Sequence, residues 1–339
     1  MLDELRAKPG VSVPFLRLND LFDHHARRRP DAAAILAPGR APLSYVDLYR
    51  HIGDVGRTLR TMGIGCHDRV AIMLPNGPEL AVAAFSVASN AACAVVNPAY
   101  AADELERYFD ALQLHALIIP AGADTPARHV ARARKLCVIE LANAPDARAG
   151  LFSLRADRPG KPSHDPVGPG SIALFILTSG TTARPKIVPL THANICSSAY
   201  SSVASIALTD TDRCLNVLPL FHCHGLIDTV LAPLAAGAGV VCARGCDVKN
   251  FFGWLREFRV RWYSAVPTMH QAILAHARHN PDQVGNCQLR LIRSASAPLP
   301  LSVFAELTRT LKTTVIEFYG MTETAGAPIA NRAVLSLPL

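Results

Sequence analysis

Two rhythms of apolar and polar positions run along the chain. From Ser44 onward, short apolar runs bounded by turn residues alternate with longer segments of helical period, the pattern of β-α units around a mainly parallel sheet. Ser44 and Asp47 form a capping-box pair, and Tyr45, Tyr49, Ile52 and Leu59 keep one face apolar, so a helix begins there. Strands are predicted over 69–74, 92–96 and 116–119, and helices over 79–88 and 103–112. Between 142 and 170 the sequence turns to Pro, Gly, Asp and Arg, which marks a boundary: a first α/β subdomain over 1–160 and a second over 161–330. The alternation then resumes as a second sheet layer. Its strands are predicted over 172–177, 214–218, 240–243, 262–265, 289–294 and 314–317, and its helices over 193–206, 226–234, 248–258, 268–278 and 301–311. The tail over 331–339 is atypical.

Composition narrows the class. Half of the 339 residues are hydrophobic and 18% are charged, enough apolar material for a substantial core. The nine cysteines are odd in number and contain no C-x-x-C pair, which is reduced, cytoplasmic usage rather than a disulfide framework. The N-terminus carries mixed charges where a secretory signal needs a basic stretch and then an apolar run. Apolar stretches over 81–96 and 226–242 are interrupted by Ser89, Asn90, Asp228 and Pro233, so neither is a membrane span. The net charge of +7 is scattered apart from 27–29 and 128–135, which argues against a nucleic-acid partner.

The chemistry concentrates in one polar loop. From Thr178 through Ser179, Gly180, Thr181, Thr182, Ala183, Arg184 and Pro185 to Lys186, hydroxyls, a glycine and two cations follow a buried strand. Glycine lets backbone approach closely, hydroxyls and successive N–H groups donate hydrogen bonds, and the cations offset negative charge, so the loop suits a polyphosphate. Neither G-x-x-x-x-G-K-[ST] nor G-x-G-x-x-G is present, so this is a different phosphate loop. A solvated Ser/Thr-rich connector is the bland alternative.

The run Thr178 to Val188 resembles the phosphate-binding signature of the adenylate-forming (AMP-binding) enzyme superfamily, which includes acyl-CoA synthetases, peptide-synthetase adenylation domains and luciferases. Ala183 and Ile187 stand where glycines are usual, which restricts the loop's backbone. Ordered companions strengthen the resemblance. Leu218 to Gly225 is similar to the segment whose Phe-His lines the acyl pocket, Arg293 to Leu299 to the stretch along the adenine, and Phe318 to Glu323 to the aromatic-Gly-x-Thr-Glu signature. The landmarks around Ser44, Arg69, Asn76 and Asn97 also match, with Asn90 and Val95 replacing the usual Gly and Pro. The segments 184–192, 221–225 and 262–270 look most like the oxalate–CoA ligase branch of acyl-CoA synthetases.

By that resemblance the fold is the large N-terminal domain of the adenylate-forming enzymes: α/β, with stacked, mainly parallel β-α subdomains, incomplete at its C-terminal end. The resemblance also implies roles. Thr178, Ser179, Gly180, Thr181, Thr182 and Lys186 hold the phosphates of ATP, and Ala295, Ser296, Ala297 and Pro298 lie along the adenine. Tyr319, followed by Gly320, stacks on that ring; Thr322 reaches the α-phosphate, Glu323 holds Mg²⁺, and His222 sits beside the acyl group. A hard carboxylate suits Mg²⁺ and a flat aromatic face suits a purine. The implied activity joins a small carboxylic acid to CoA through acyl-AMP. His222, Cys223, His224, His276 and His279 are assigned to packing rather than to a transition metal, because no fourth ligand lies at a recognisable spacing.

The same resemblance predicts an aspartate for the ribose and a mobile domain carrying a lysine beyond Glu323, and neither is found in the sixteen residues that follow it. The expectation is a truncated, weakly active or inactive form. Two alternatives stay open: a non-catalytic nucleotide- or acyl-binding protein, and an adenylation module that loads a carrier protein. Loss of a cation aimed at the transition state removes roughly 10²–10³ in rate. ATP–pyrophosphate exchange with a panel of carboxylates should therefore be weak or absent for this chain alone, and robust turnover would contradict that.

Overall fold

The computed structural model describes residues 12–143, 147–157, 166–178, 186–285 and 287–330, with side chains to residue 326. Helix α1 (Leu18–Arg28) leads into the antiparallel strands β1 (Ala33–Ala37) and β2 (Arg40–Ser44), and then into α2 (Tyr45–Thr61). The alternation continues with β3 (Arg69–Ile72), α3 (Pro78–Ala88), β4 (Ala92–Val95), α4 (Ala102–Leu112), β5 (Ala116–Pro120), α5 (Pro126–Ala133), β6 (Cys137–Asn143) and β7 (Phe152–Ala156). Strands β8 (Ile172–Thr178) and β9 (Lys186–Thr191) flank the polar loop, and α6 (His192–Ser205) and β10 (Arg213–Asn216) follow. A π-helical segment (His224–Leu231), α7 (Ala232–Ala235), β11 (Gly239–Cys242), α8 (Val248–Glu257) and β12 (Trp262–Ala265) come next. The chain then forms α9 (Pro267–His279), α10 (Pro281–Val284), β13 (Leu291–Ser294), α11 (Leu301–Leu311), β14 (Thr314–Met321), a 3₁₀ turn (Thr322–Thr324) and β15 (Gly326–Ala330).

Two sheets result. One has seven strands in the order β7-β6-β5-β3-β4-β8-β9, the other eight in the order β15-β14-β13-β12-β10-β11-β1-β2. They interleave across the break expected at 160/161: β1 and β2 join the later strands, while β8 and β9 extend the earlier sheet. The inner strands pair parallel, and the antiparallel pairs β1–β2, β6–β7, β8–β9 and β14–β15 lie at the edges. Strand β9 was not expected; it pairs antiparallel with β8, so a strand precedes the helix that was expected to come next.

Local chemistry explains the helices. The Ser44 Oγ accepts from the Asp47 backbone N–H at 3.2 Å, and Leu48, Ile52, Val55 and Leu59 bury one stripe of α2. Helix α3 is buried on every side because it lies between the sheets, touching β3, β4 and β8 of one and β1 and β11 of the other. Helix α6 also bridges them, packing on β8, β9 and β15. The opposite face of the first sheet is covered by α4 and α5, and that of the second by α8, α9 and α11, so the layers run helices, sheet, helices, sheet, helices. Central strands buried on both faces explain the unbroken apolar runs.

The helix expected over 226–234 begins earlier and opens into a π turn at His224–Leu231. Its widening has visible partners: Thr229 Oγ1 donates to the Gly225 carbonyl at 2.7 Å and to Asn216 Oδ1 at 3.1 Å. Asn216 Oδ1 also accepts from Leu218 N–H at 2.8 Å, and Asn76 Oδ1 accepts from Leu220 N–H at 3.0 Å, which pins the incoming segment. A Cβ on Gly225 would lie 2.2 Å from the Pro219 carbonyl oxygen, so only glycine fits there. Gly225→Ala should destabilise the protein by about 1–3 kcal/mol through this backbone clash. Gly53→Ala, where a Cβ meets nothing closer than 3.6 Å, should stabilise it by roughly 0.5–1 kcal/mol. Urea unfolding midpoints check both, and equal effects of the two substitutions would contradict the packing assigned to Gly225.

Candidate functional site

Parallel strands end together, and in open α/β sheets ligands bind beyond their carboxyl ends. There, past β10, β12, β13 and β14, lies a cavity of about 630 Å³. Thr178 closes it from the first sheet; Leu218, His222, His224 and Asp228 line it from the π-helical segment and the chain leading to it. Val266, Met269, Ala295, Ser296, Gly320 and Thr322 complete its wall from the second sheet. Of the residues expected from sequence, Thr178, His222, Ala295, Ser296, Gly320 and Thr322 are thus brought to one cavity. Ser179, Gly180, Thr181 and Thr182 lie outside the described residues. Ala297, Pro298 and Tyr319 are exposed and are not part of the cavity lining, Tyr319 at 62% exposure.

The two sheets also meet through charge. Lys186, the first residue of β9, forms an ion pair with Glu323 in the turn after β14, and this hydrogen bond holds the Glu323 carboxyl below its ordinary range. Thr178 sits opposite Lys186 in the β8–β9 register and its Oγ1 donates to the Lys186 carbonyl at 3.5 Å. A hydroxyl and a cation from the β8–β9 pair and a carboxylate from a distant part of the sequence therefore share one locality.

A buried polar network underlies the wall. The Ser264 hydroxyl donates to the Arg293 carbonyl at 3.2 Å, so it accepts from Nε2–H of His224 at 2.7 Å. His224 Nδ1 is then left to accept from Ser296 Oγ at 3.1 Å. Both ring nitrogens are satisfied in one neutral tautomer, in line with a pKa that burial and the nearby Arg293 cation lower to about 3. Ser296 holds this contact at φ 73°, in the left-handed region that favours glycine. The Cys223 thiol donates to Thr322 Oγ1 at 3.9 Å, and burial raises its pKa, so a thiolate nucleophile is disfavoured.

Sequence reasoning passed over the charged pair beneath this network. Arg293 is fully buried, its Nη2 lies 3.1 Å from Asp228 Oδ1, and its guanidinium carbon stands 3.7 Å from the Phe318 ring centroid. Asp228 also accepts from Ser202 Oγ at 2.8 Å. The available signal was a charge inside each of two apolar runs. Among the described residues no group of three or more His, Cys, Asp or Glu side chains could hold a metal.

Comparison with known proteins fits this geometry. The sequence profile described as AMP-binding enzyme matches residues 22–335. The chain belongs to the AMP-binding enzyme family. It is 35% identical over 314 residues to an oxalate–CoA ligase of Arabidopsis thaliana, covering 90% of this chain and 60% of that protein. It is 34% identical over 324 residues to "Probable CoA ligase CCL9" of Humulus lupulus, covering 93% and 61%. Apo MatB from Rhodopseudomonas palustris shares the fold at a TM-score of 0.77 and 24% identity, over 93% of this chain and 62% of that one. This AMP-binding family member therefore spans about three-fifths of the length of the curated relatives it matches.

Buried neutral histidines set an acid limit on this family member. His224 has a pKa near 3, and His192 and His270 are lowered to about 4 by burial, against an ordinary value of 6.5. As pH falls the unfolded chain takes up these protons first, so the stability gained by keeping the rings neutral is complete above about pH 6.5 and declines toward pH 4. Urea unfolding midpoints should drop steadily across that window; a flat profile would contradict the buried neutral rings.

Proposed function

We propose that this chain supplies the nucleotide- and acyl-binding surface of an ATP-dependent acid–thiol ligase that converts a small carboxylic acid to acyl-AMP and then to its CoA thioester. The meeting of Lys186 with Glu323 at the site where Thr178, His222, Ser296 and Thr322 line one cavity carries this reading. A carboxylate cannot expel oxide, so activation comes first: a carboxylate oxygen bonds to the α-phosphorus of ATP while the bond to pyrophosphate breaks. The CoA thiol then attacks the acyl carbon, loses its proton, and AMP departs. Neither step needs a protein nucleophile, and positioning with charge neutralisation carries the rate.

In this reading Thr178 and Lys186 face the β- and γ-phosphates, with Ser179, Gly180, Thr181 and Thr182 completing the cradle. Thr322 donates to the α-phosphate, Ala295 to Pro298 and Tyr319 with Gly320 receive the adenine, and His222 flanks the acyl group. The exposed Glu323 carboxylate suits Mg²⁺, whose remaining oxygen ligands would come from phosphates and water, since the described residues gather no group of three or more His, Cys, Asp or Glu side chains around it. When bound, Mg²⁺ neutralises phosphate charge. Buried thiols such as Cys93, Cys196 and Cys214, with no disulfide, support a reducing, cytoplasmic setting.

Calorimetry with ATP and with a non-hydrolysable acyl-sulfamoyl adenosine tests the proposal. Both should bind at one site, and Lys186→Ala should weaken ATP at least about tenfold, in keeping with loss of a charge-assisted contact. Absence of binding by either ligand to the folded chain would overturn the reading.

A further inference from the structure

The cavity wall contains one carboxylate among its described residues, and it is fixed in place. Asp228 is 1% exposed, lines the cavity beside His224 and Gly225, and is held by Ser202 Oγ at 2.8 Å and by Arg293 at 3.1 Å. Arg293 does not line the cavity; it lies behind Asp228, fully buried against Phe318. Gly326 closes the other side of Asp228, where a Cβ would come within 3.1 Å of both carboxylate oxygens. The two charges offset each other, but they are not placed alike: a ligand in the cavity meets the anion first and the cation through it. Nearby His224 is neutral and adds no positive charge.

We propose that Asp228 is a specificity-determining residue that makes this cavity select monocarboxylic acids with uncharged tails and reject acids bearing a second, distal carboxylate. The proposal rests on the acyl-activating function above and narrows its substrate class. A distal carboxylate directed toward this wall would be desolvated beside a like charge, while the counter-ion Arg293 is not part of the cavity lining. An uncharged tail meets Leu218, Val266 and Met269 without that cost and leaves the Asp228–Arg293 pair intact. Relatives that share the reaction need not share the acid.

The test uses the full chain and two acyl-sulfamoyl adenosines of equal carbon count, butanoyl and succinyl, titrated by calorimetry. The butanoyl conjugate should bind at least about tenfold tighter than the succinyl one. Asp228→Asn leaves a buried cation unpaired and can unfold the protein, so the Asp228→Asn, Arg293→Met double substitution removes both charges, with melting temperature as the folding check. In the double variant the preference should shrink to within about threefold. Equal binding of the two conjugates to the unmodified chain, or an unchanged preference in the folded double variant, overturns the proposal. Failure of both conjugates and of ATP to bind would overturn the acyl-activating function itself, and the substrate class with it.

Discussion

Helices α3 and α6 bear on both sheets at once, and the placement of every other layer follows from that shared packing. An element with apolar contacts on opposite sides cannot shift toward one sheet without opening a void against the other, and voids in a close-packed interior cost stability in proportion to their size. The relative position of the sheets is therefore set by side chains such as Leu80, Val82, Phe85 and Val87, each buried within α3. The Lys186–Glu323 contact depends on this distant packing, since its two partners belong to different sheets.

The site divides into a soft rim and a hard floor. At the rim, Lys186 and Glu323 are exposed, so solvent screens their attraction and an incoming anion can compete for the cation. At the floor, His224, Ser264, Arg293 and Asp228 are buried and mutually bonded, and changing one member leaves another without its partner. Exchange of ligands at an exposed edge and discrimination at a buried base are compatible for this reason. Strain at Ser296 belongs to the floor: its left-handed backbone is maintained by the hydroxyl it offers to His224.

Much of this was legible because it is local. Ser44 as a cap, the apolar run of α3 and the strands of the parallel core follow from periodicity and from burial on both faces. Helix α1 escaped notice because Arg17, its first flanking residue, gives no side-chain cap, and β9 because its exposed Lys186 and Pro189 dilute the strand pattern. The π turn depends on Thr229, Asn216 and Asn76 arriving from separate segments, which no window of sequence displays together. For the site, order along the chain identified the segments around Thr178, His222, Ser296 and Thr322 that the fold gathers. The Asp228–Arg293 pair joins positions in two separate apolar runs, and only the tertiary fold, which sets the π segment on α6, β10 and β15, brings them together.

The position of β1 has a consequence for how the molecule is made. This strand pairs in parallel with β11, Ile35 opposite Val240 and Leu36 opposite Val241. Residues near the start of the chain thus find their neighbour only after some two hundred later ones have left the ribosome. The first sheet has its core strands β3, β4 and β5 close together in sequence and can begin to assemble during synthesis, whereas the second waits for a long-range closure. During that interval the β11-facing edge of β1 has no partner, and an unpaired strand edge is a template on which another chain can pair.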